Sequence, residues 1–240
     1  MLLKSARVNS LACFGAALLL LEGGVLGGVC SAATILGDAI PLSSLANNAQ
    51  GVVDVGDKRF TDFTYHATGD MPVVANVNVI PIQDDLGKFG LRFQGAFVDV
   101  PSSPNGSTAL ITYNVEATDP LKLISDAHMQ GNPALLGEFG SISVVDTFLP
   151  LGKNGEYTMA IFDDESLPTP RLADAVFFTP PVRRLSVQKD ILAIATQNSQ
   201  TATLSFVDQT YSQIIIPEPA SVLLALACFG LIGLGRRRVR

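Results

Sequence analysis

His66 and His128 are the two imidazoles in a chain of 240 residues, so any histidine-based mechanism must be built around one of them. Neither stands in a spacing that such chemistry demands. There is no His-Glu-x-x-His to hold zinc and no Gly-x-Ser-x-Gly elbow to present a nucleophile. Both are read as surface or packing residues, although a serine triad assembled by the fold would leave no local mark. Two carboxylate clusters, Asp84-Asp85 and Asp163-Asp164-Glu165, are the best-placed ligands for a hard cation, since calcium takes roughly six to eight oxygens from carboxylates and carbonyls. Their spacing lacks the EF-hand pattern, so solvated turns are expected instead. A glycosidase needs two carboxylates facing across a cleft, which adjacency in sequence does not supply. Gly87, Gly90 and Gly95 do not follow a strand and open a helix, as a phosphate-binding loop would. Asn105-Gly106-Ser107 matches a glycosylation acceptor but reads more simply as an Asn-Gly turn. No catalytic residue, metal ligand or cofactor is assigned.

The composition around these residues is 48% hydrophobic and 16% charged, which is enough for one substantial core. The net charge of −6 conceals an asymmetry. Residues 34–216 hold about 20 Asp and Glu against about 10 Lys and Arg, a net charge of about −10, while the other cations crowd the two ends. Such a domain repels nucleic acid and anionic lipid heads, and its acidity is expected to serve solubility. Cys13 and Cys30 lie near the N-terminus and Cys228 in a C-terminal apolar run, with none between. The intervening domain therefore has no disulfide framework, thiol nucleophile or thiolate metal site.

Both ends carry address signals. Lys4 and Arg7, an apolar run over 11–21 and the small residues Cys30, Ser31, Ala32 and Ala33 follow the order of a secretory signal peptide, with cleavage near Ala32 or Ala33. The run is interrupted at Glu22 and falls short of the roughly 20 residues of a spanning helix. At the other end, Pro217-Glu218-Pro219-Ala220-Ser221 leads into an uncharged stretch, 222–235, and then into Arg236-Arg237-Arg238-Val239-Arg240. The two prolines remove backbone donors and favour extended geometry, the form in which a protease binds a chain. A helix over 220–235 would reach roughly 24 Å, less than the roughly 30 Å of bilayer hydrocarbon. The arginines favour the cytoplasmic side, leaving Glu218 and everything before it outside.

This layout resembles the PEP-CTERM tail of Gram-negative exported proteins, over about a tenth of the chain. The resemblance implies that Pro217, Glu218 and Pro219 are recognised by exosortase, an integral-membrane cysteine protease and transpeptidase. Residues 222–235 would then be the membrane segment and Arg236, Arg237 and Arg238 the retention signal. It also implies association with the cell surface or an exopolysaccharide matrix. Lys189-Asp190-Ile191 and Gln209-Thr210-Tyr211-Ser212-Gln213 resemble, less specifically, an arrangement that recurs in uncharacterised exported proteins with this tail.

Between the ends the sequence breaks into short β-type runs separated by turn residues. Strands are expected at 60–65, 73–82, 90–100, 109–117, 141–149, 157–163, 175–179, 184–196 and 201–216. Turns are expected at 101–106, 153–155 and 168–170. About nine strands without βαβ alternation predict an all-β fold, an antiparallel and jelly-roll-like β-sandwich. Its core should hold Phe93, Phe97, Ile111, Tyr113, Val115, Ile142, Val144, Phe148, Ile161, Phe177, Leu192 and Leu204. The stretch 121–136 fits a strand or a short helix. The expected organisation is a signal peptide (1–33), an exported domain (34–216) and a sorting tail (217–240). The expected function is that of a non-catalytic surface or matrix protein handled by signal peptidase and exosortase, which meets exopolysaccharide or envelope components and no nucleic acid. A carbohydrate-binding module, with calcium as a candidate aid, is the alternative, and a secreted hydrolase the third reading. The absence of Trp and the presence of only four Tyr count against a sugar-stacking face.

Overall fold

Inward and outward side chains alternate along most of residues 107–195, and this period of two builds the molecule. The structure is a computed structural model that describes residues 33–101, 106–137, 140–152, 155–196 and 200–216. The leader, the Pro-Glu-Pro motif, the apolar run 222–235 and the arginine cluster lie outside the described residues. So do Asn105 and most of the turns expected at 101–106 and 153–155.

In chain order the strands are β1 (Thr34–Ile35), β2 (Ile40–Pro41), β3 (Val53–Val55), β4 (Lys58–Thr68), β5 (Asn78–Gln83), β6 (Phe89–Asp99) and β7 (Ser107–Ala117). They continue with β8 (Lys122–Gly131), β9 (Ala134–Leu136), β10 (Gly140–Pro150), β11 (Tyr157–Asp164), β12 (Ala173–Val182), β13 (Arg184–Ala195) and β14 (Thr201–Ile215). One helical turn, α1 (Leu42–Leu45), separates β2 from β3 and buries both its leucines. One sheet runs β1-β5-β6-β14-β8-β12, with β2 also on β5 and β9 on β14; the other runs β11-β10-β13-β7-β4-β3. All the pairings are antiparallel. Hairpins join β3 to β4, β5 to β6 and β10 to β11 within a sheet, whereas β6–β7, β7–β8, β11–β12, β12–β13 and β13–β14 each cross between sheets. The expected antiparallel β-sandwich is the fold observed.

The core lies between the sheets. β7 contributes Ala109, Ile111, Tyr113, Val115 and Ala117, β10 contributes Ile142, Val144 and Phe148, and β6 contributes Leu91, Phe93 and Phe97, all buried. Rings pack in this layer: Tyr113 lies 5.7 Å from Phe63 of its own sheet and 5.5 Å from Phe93 of the opposite one, and its hydroxyl is 2.8 Å from that of Tyr211 across the layer.

Two expected core residues are not there. Phe177 is 70% exposed while Phe178 is buried, and Leu192 is 38% exposed while Ile191 is buried. In each case adjacent apolar residues left the face undecided by one position, and pairing settled it. Phe177 stands opposite Asp126 of β8, on the outer face. The stretch 121–136 is strand, not helix, and the strand expected at 73–82 begins at Asn78 after a 3₁₀ turn over Val74–Asn76.

Candidate functional site

Two polar constellations stand out, one sealed between the sheets and one on the outer face of the larger sheet. In the sealed one, Asp146 and Lys189 sit directly opposite on β10 and β13, at inward positions of both strands. Both are fully buried, and Lys189 Nζ lies 2.7 Å from each Asp146 carboxylate oxygen. Lys189 also donates to Gln209 Oε1 at 3.2 Å and approaches Met129 Sδ at 3.5 Å. Gln209 in turn donates to the His128 carbonyl at 3.0 Å. Burial pushes the Asp146 carboxyl up and the Lys189 ammonium down, and their mutual attraction opposes both changes. Burial likewise raises the hydroxyl pKa of Tyr113 and Tyr211 well above the usual range. Solvent does not reach this knot, so it joins the sheets rather than serving a substrate. The two segments that resemble a recurring arrangement meet here through the Lys189–Gln209 hydrogen bond, while Asp190 faces out and accepts from Gln188.

The outer constellation is laid out by β6, β14 and β8. Arg92 makes a two-pronged contact with Asp208, at 2.6 and 2.8 Å, and stacks over Phe206. Gln130 donates to the same Asp208 carboxylate at 3.2 Å. One register step along, Thr210 pairs with His128, and the β5–β6 turn folds over them: Thr210 donates to Asp84 Oδ2 at 3.1 Å. His128 Nε2 lies 2.7 Å from both Lys88 Nζ and Asp126 Oδ1. A single ring nitrogen cannot accept from one and donate to the other at once, but Lys88 lies 4.0 Å from Asp126 and balances its charge in either tautomer. Burial opposes ionisation of Asp126, yet hydrogen bonds from Ser212, Ser125 and His128 outweigh it and hold the carboxyl below the usual range. Ser125 Oγ donates to Asp126, not to the imidazole, so this cluster does not have the serine–histidine–aspartate order that activates a nucleophile.

His66, by contrast, lies on β4 in the other sheet, away from this cluster. Three members of the carboxylate clusters accept from backbone amides. Asp84 Oδ1 accepts from the Leu86 and Lys88 amides, Asp164 Oδ1 from Ser166, and Asp163 from Leu135. Among the described residues no three His, Cys, Asp or Glu converge as metal ligands would.

The last strand leads straight to the tail. β14 ends at Ile215, and the Ile216 amide donates to Leu121 O at 2.7 Å. Pro217 therefore follows a held strand with no linker between. Residues 216–239 match the family described as the PEP-CTERM protein-sorting motif. The tail is a PEP-CTERM sorting signal. A chain with a PEP-CTERM tail is exported and associated with the cell envelope. Among the described residues no helix is long and apolar enough to cross a membrane. No curated protein matches the sequence. Among solved structures, one similar chain is TmCBM61, solved with β-1,4-galactotriose, at 10% identity and a TM-score of 0.29 over 62% of this chain and 88% of that one. Another is the enzymatically active domain of bacteriophage CBA120 tailspike protein 4, at 15% identity and a TM-score of 0.26 over 62% of this chain and 19% of that one. At such TM-scores neither likeness bears on function.

Proposed function

We propose that this is a non-catalytic surface or matrix protein, exported through a cleaved signal peptide and then processed by exosortase at its PEP-CTERM tail. The observation that carries this reading is the motif over 216–239, which begins directly after β14 with the Ile216 amide held by Leu121 O at 2.7 Å. Recognition of Pro217-Glu218-Pro219 would cut the chain beside the folded sandwich, so the product is the sandwich itself, released from its short apolar helix. A cysteine-free domain suits that destination, because its stability depends on no redox state. Replacing Glu218 with Ala should leave the unprocessed chain in the membrane fraction of its own host, read as a heavier band that keeps the arginine cluster. Normal processing of the Glu218→Ala chain would contradict the motif assignment.

One observation favours carbohydrate binding as a second reading. Phe177 is the exposed ring that sequence reasoning assigned to the core, and it shares the outer face with Asp126 and, one step along, His128. An exposed ring beside hydrogen-bonding side chains is how a binding face stacks and orients a pyranose. Glycan-array binding that is lost in Phe177→Ala would support it; no binding by the wild type would leave the structural reading alone.

A further inference from the structure

Antiparallel pairing of β1 with β5 sets Thr34 opposite Gln83 and Ile35 opposite Ile82, and the Leu36 amide donates to Pro81 O at 2.9 Å. The same register carries Ala33 past Gln83 to the β5–β6 turn. There Ala33 forms part of the wall of a pocket of about 160 Å³, together with Asp84, Asp85, His128, Asp174 and Asp208. Most of these acids are already engaged. Asp208 holds Arg92, Asp174 holds Arg171 and accepts the Ala160 amide, and Asp84 accepts two backbone amides and the Thr210 hydroxyl. Lys88, the cation of the same turn, is directed at His128 and Asp126. Asp85 has no hydrogen bond or ion pair among the described residues. The pocket is thus lined on one side by the chain's own residue 33, and among the described residues no Lys or Arg lines it, while Asp85 is exposed at its rim.

We propose that this pocket is the docking site of the mature chain's own α-ammonium group: cleavage between Ala32 and Ala33 makes Ala33 the first residue and places its new positive charge against Asp84 and Asp85. The inference rests on the proposed removal of the signal peptide. Before cleavage the nitrogen of residue 33 is a neutral amide; afterwards it is an amine that is mostly protonated at neutral pH, with an ordinary pKa of roughly 7.7–8.0. Neighbouring carboxylates favour the charged form. β1 has two residues, both exposed, and caps an edge of the larger sheet. A two-residue ladder is a weak hold, and the ion pair fixes its free end. Leader removal thereby completes the sheet edge, so the exported domain reaches full stability only once it has been processed.

The test uses protein recovered from its own host. Terminal peptide mapping identifies the first residue, and amine-specific labelling at pH 7 reports the α-amine. We expect a chain beginning at Ala33 whose α-amine labels about tenfold more slowly than in the denatured chain, the effect of raising its pKa by about one unit. Asp85→Asn should restore fast labelling and lower the thermal midpoint; since Asp85 has no other partner, the turn itself should survive. In a companion chain, Gly-Ser inserted between Ala32 and Ala33 moves the charge away, and there Asp85→Asn should leave the midpoint unchanged. Labelling at the denatured rate in a chain shown to begin at Ala33, or an equal effect of Asp85→Asn in both chains, overturns the inference and leaves the export reading intact. A mature chain that begins elsewhere overturns the cleavage reading and the inference with it.

Discussion

Lys189 and Asp146 place a full charge pair where the alternation of their strands calls for apolar side chains. A buried pair adds little net stability over apolar residues of similar size, but an orphaned buried charge costs about 3–5 kcal/mol. Lys189→Met should therefore destabilise the domain by about that amount in urea denaturation, and adding Asp146→Leu should recover most of the loss. If the single and double variants are equally destabilised, the pair is not what the core depends on. The exposed and buried phenylalanines of β12 make a second residue-level test. Phe178→Ala should cost about 3–5 kcal/mol through lost burial and a cavity, whereas Phe177→Ala should stay within about 0.5 kcal/mol. Part of this was legible in the sequence: Ile142, Val144 and Phe148 were expected in the core, and Asp146 shares their period of two. Its partner lies on a strand 43 residues away, and a charge at an inward position reads as a break in the pattern until that partner is known. The run Val176-Phe177-Phe178 carries no parity at all; the pairing with β8 decides it.

β14 is the longest strand, at 15 residues, and pairs with β6, β8 and β9. At Gly90 of β6, a Cβ would lie 1.8 Å from the Gln209 carbonyl oxygen of β14. Gly90→Ala must push the two strands apart, and a loss of about 1–3 kcal/mol is expected from overpacking; an unchanged urea midpoint would show that the contact can relax. The nine strands expected from sequence are all present because each spans enough residues to show a period. β1, β2, β3 and β9, of two or three residues, are too short to show one. β8 was ambiguous for a different reason. Its register shifts at Ser125, so the inward residues Ile124, Ala127 and Met129 are spaced by three and then two, which matches neither period cleanly. The outer-face cluster of Arg92, Asp208, His128 and Asp126 draws on three strands and left no motif in the sequence.

For the molecule as a whole, ionised carboxylates are part of what the fold relies on. Asp126 is held below the usual carboxyl range. A depressed folded-state pKa gives stability that is present above the unfolded value and lost as pH falls through the folded one. Asp126→Asn should lower the thermal midpoint at pH 7, and the gap from wild type should close as pH drops below about 4. A gap that persists in acid would show that the hydrogen-bond geometry, not the charge, is what matters. Loss of both ends is what turns this chain into the exported sandwich. An intact mass with terminal peptides, taken on native protein from membrane and extracellular fractions of its own host, tests it most directly. The expected product has lost both the leader and everything beyond a cut within 217–220. A membrane-bound product that still carries 222–240 would contradict it.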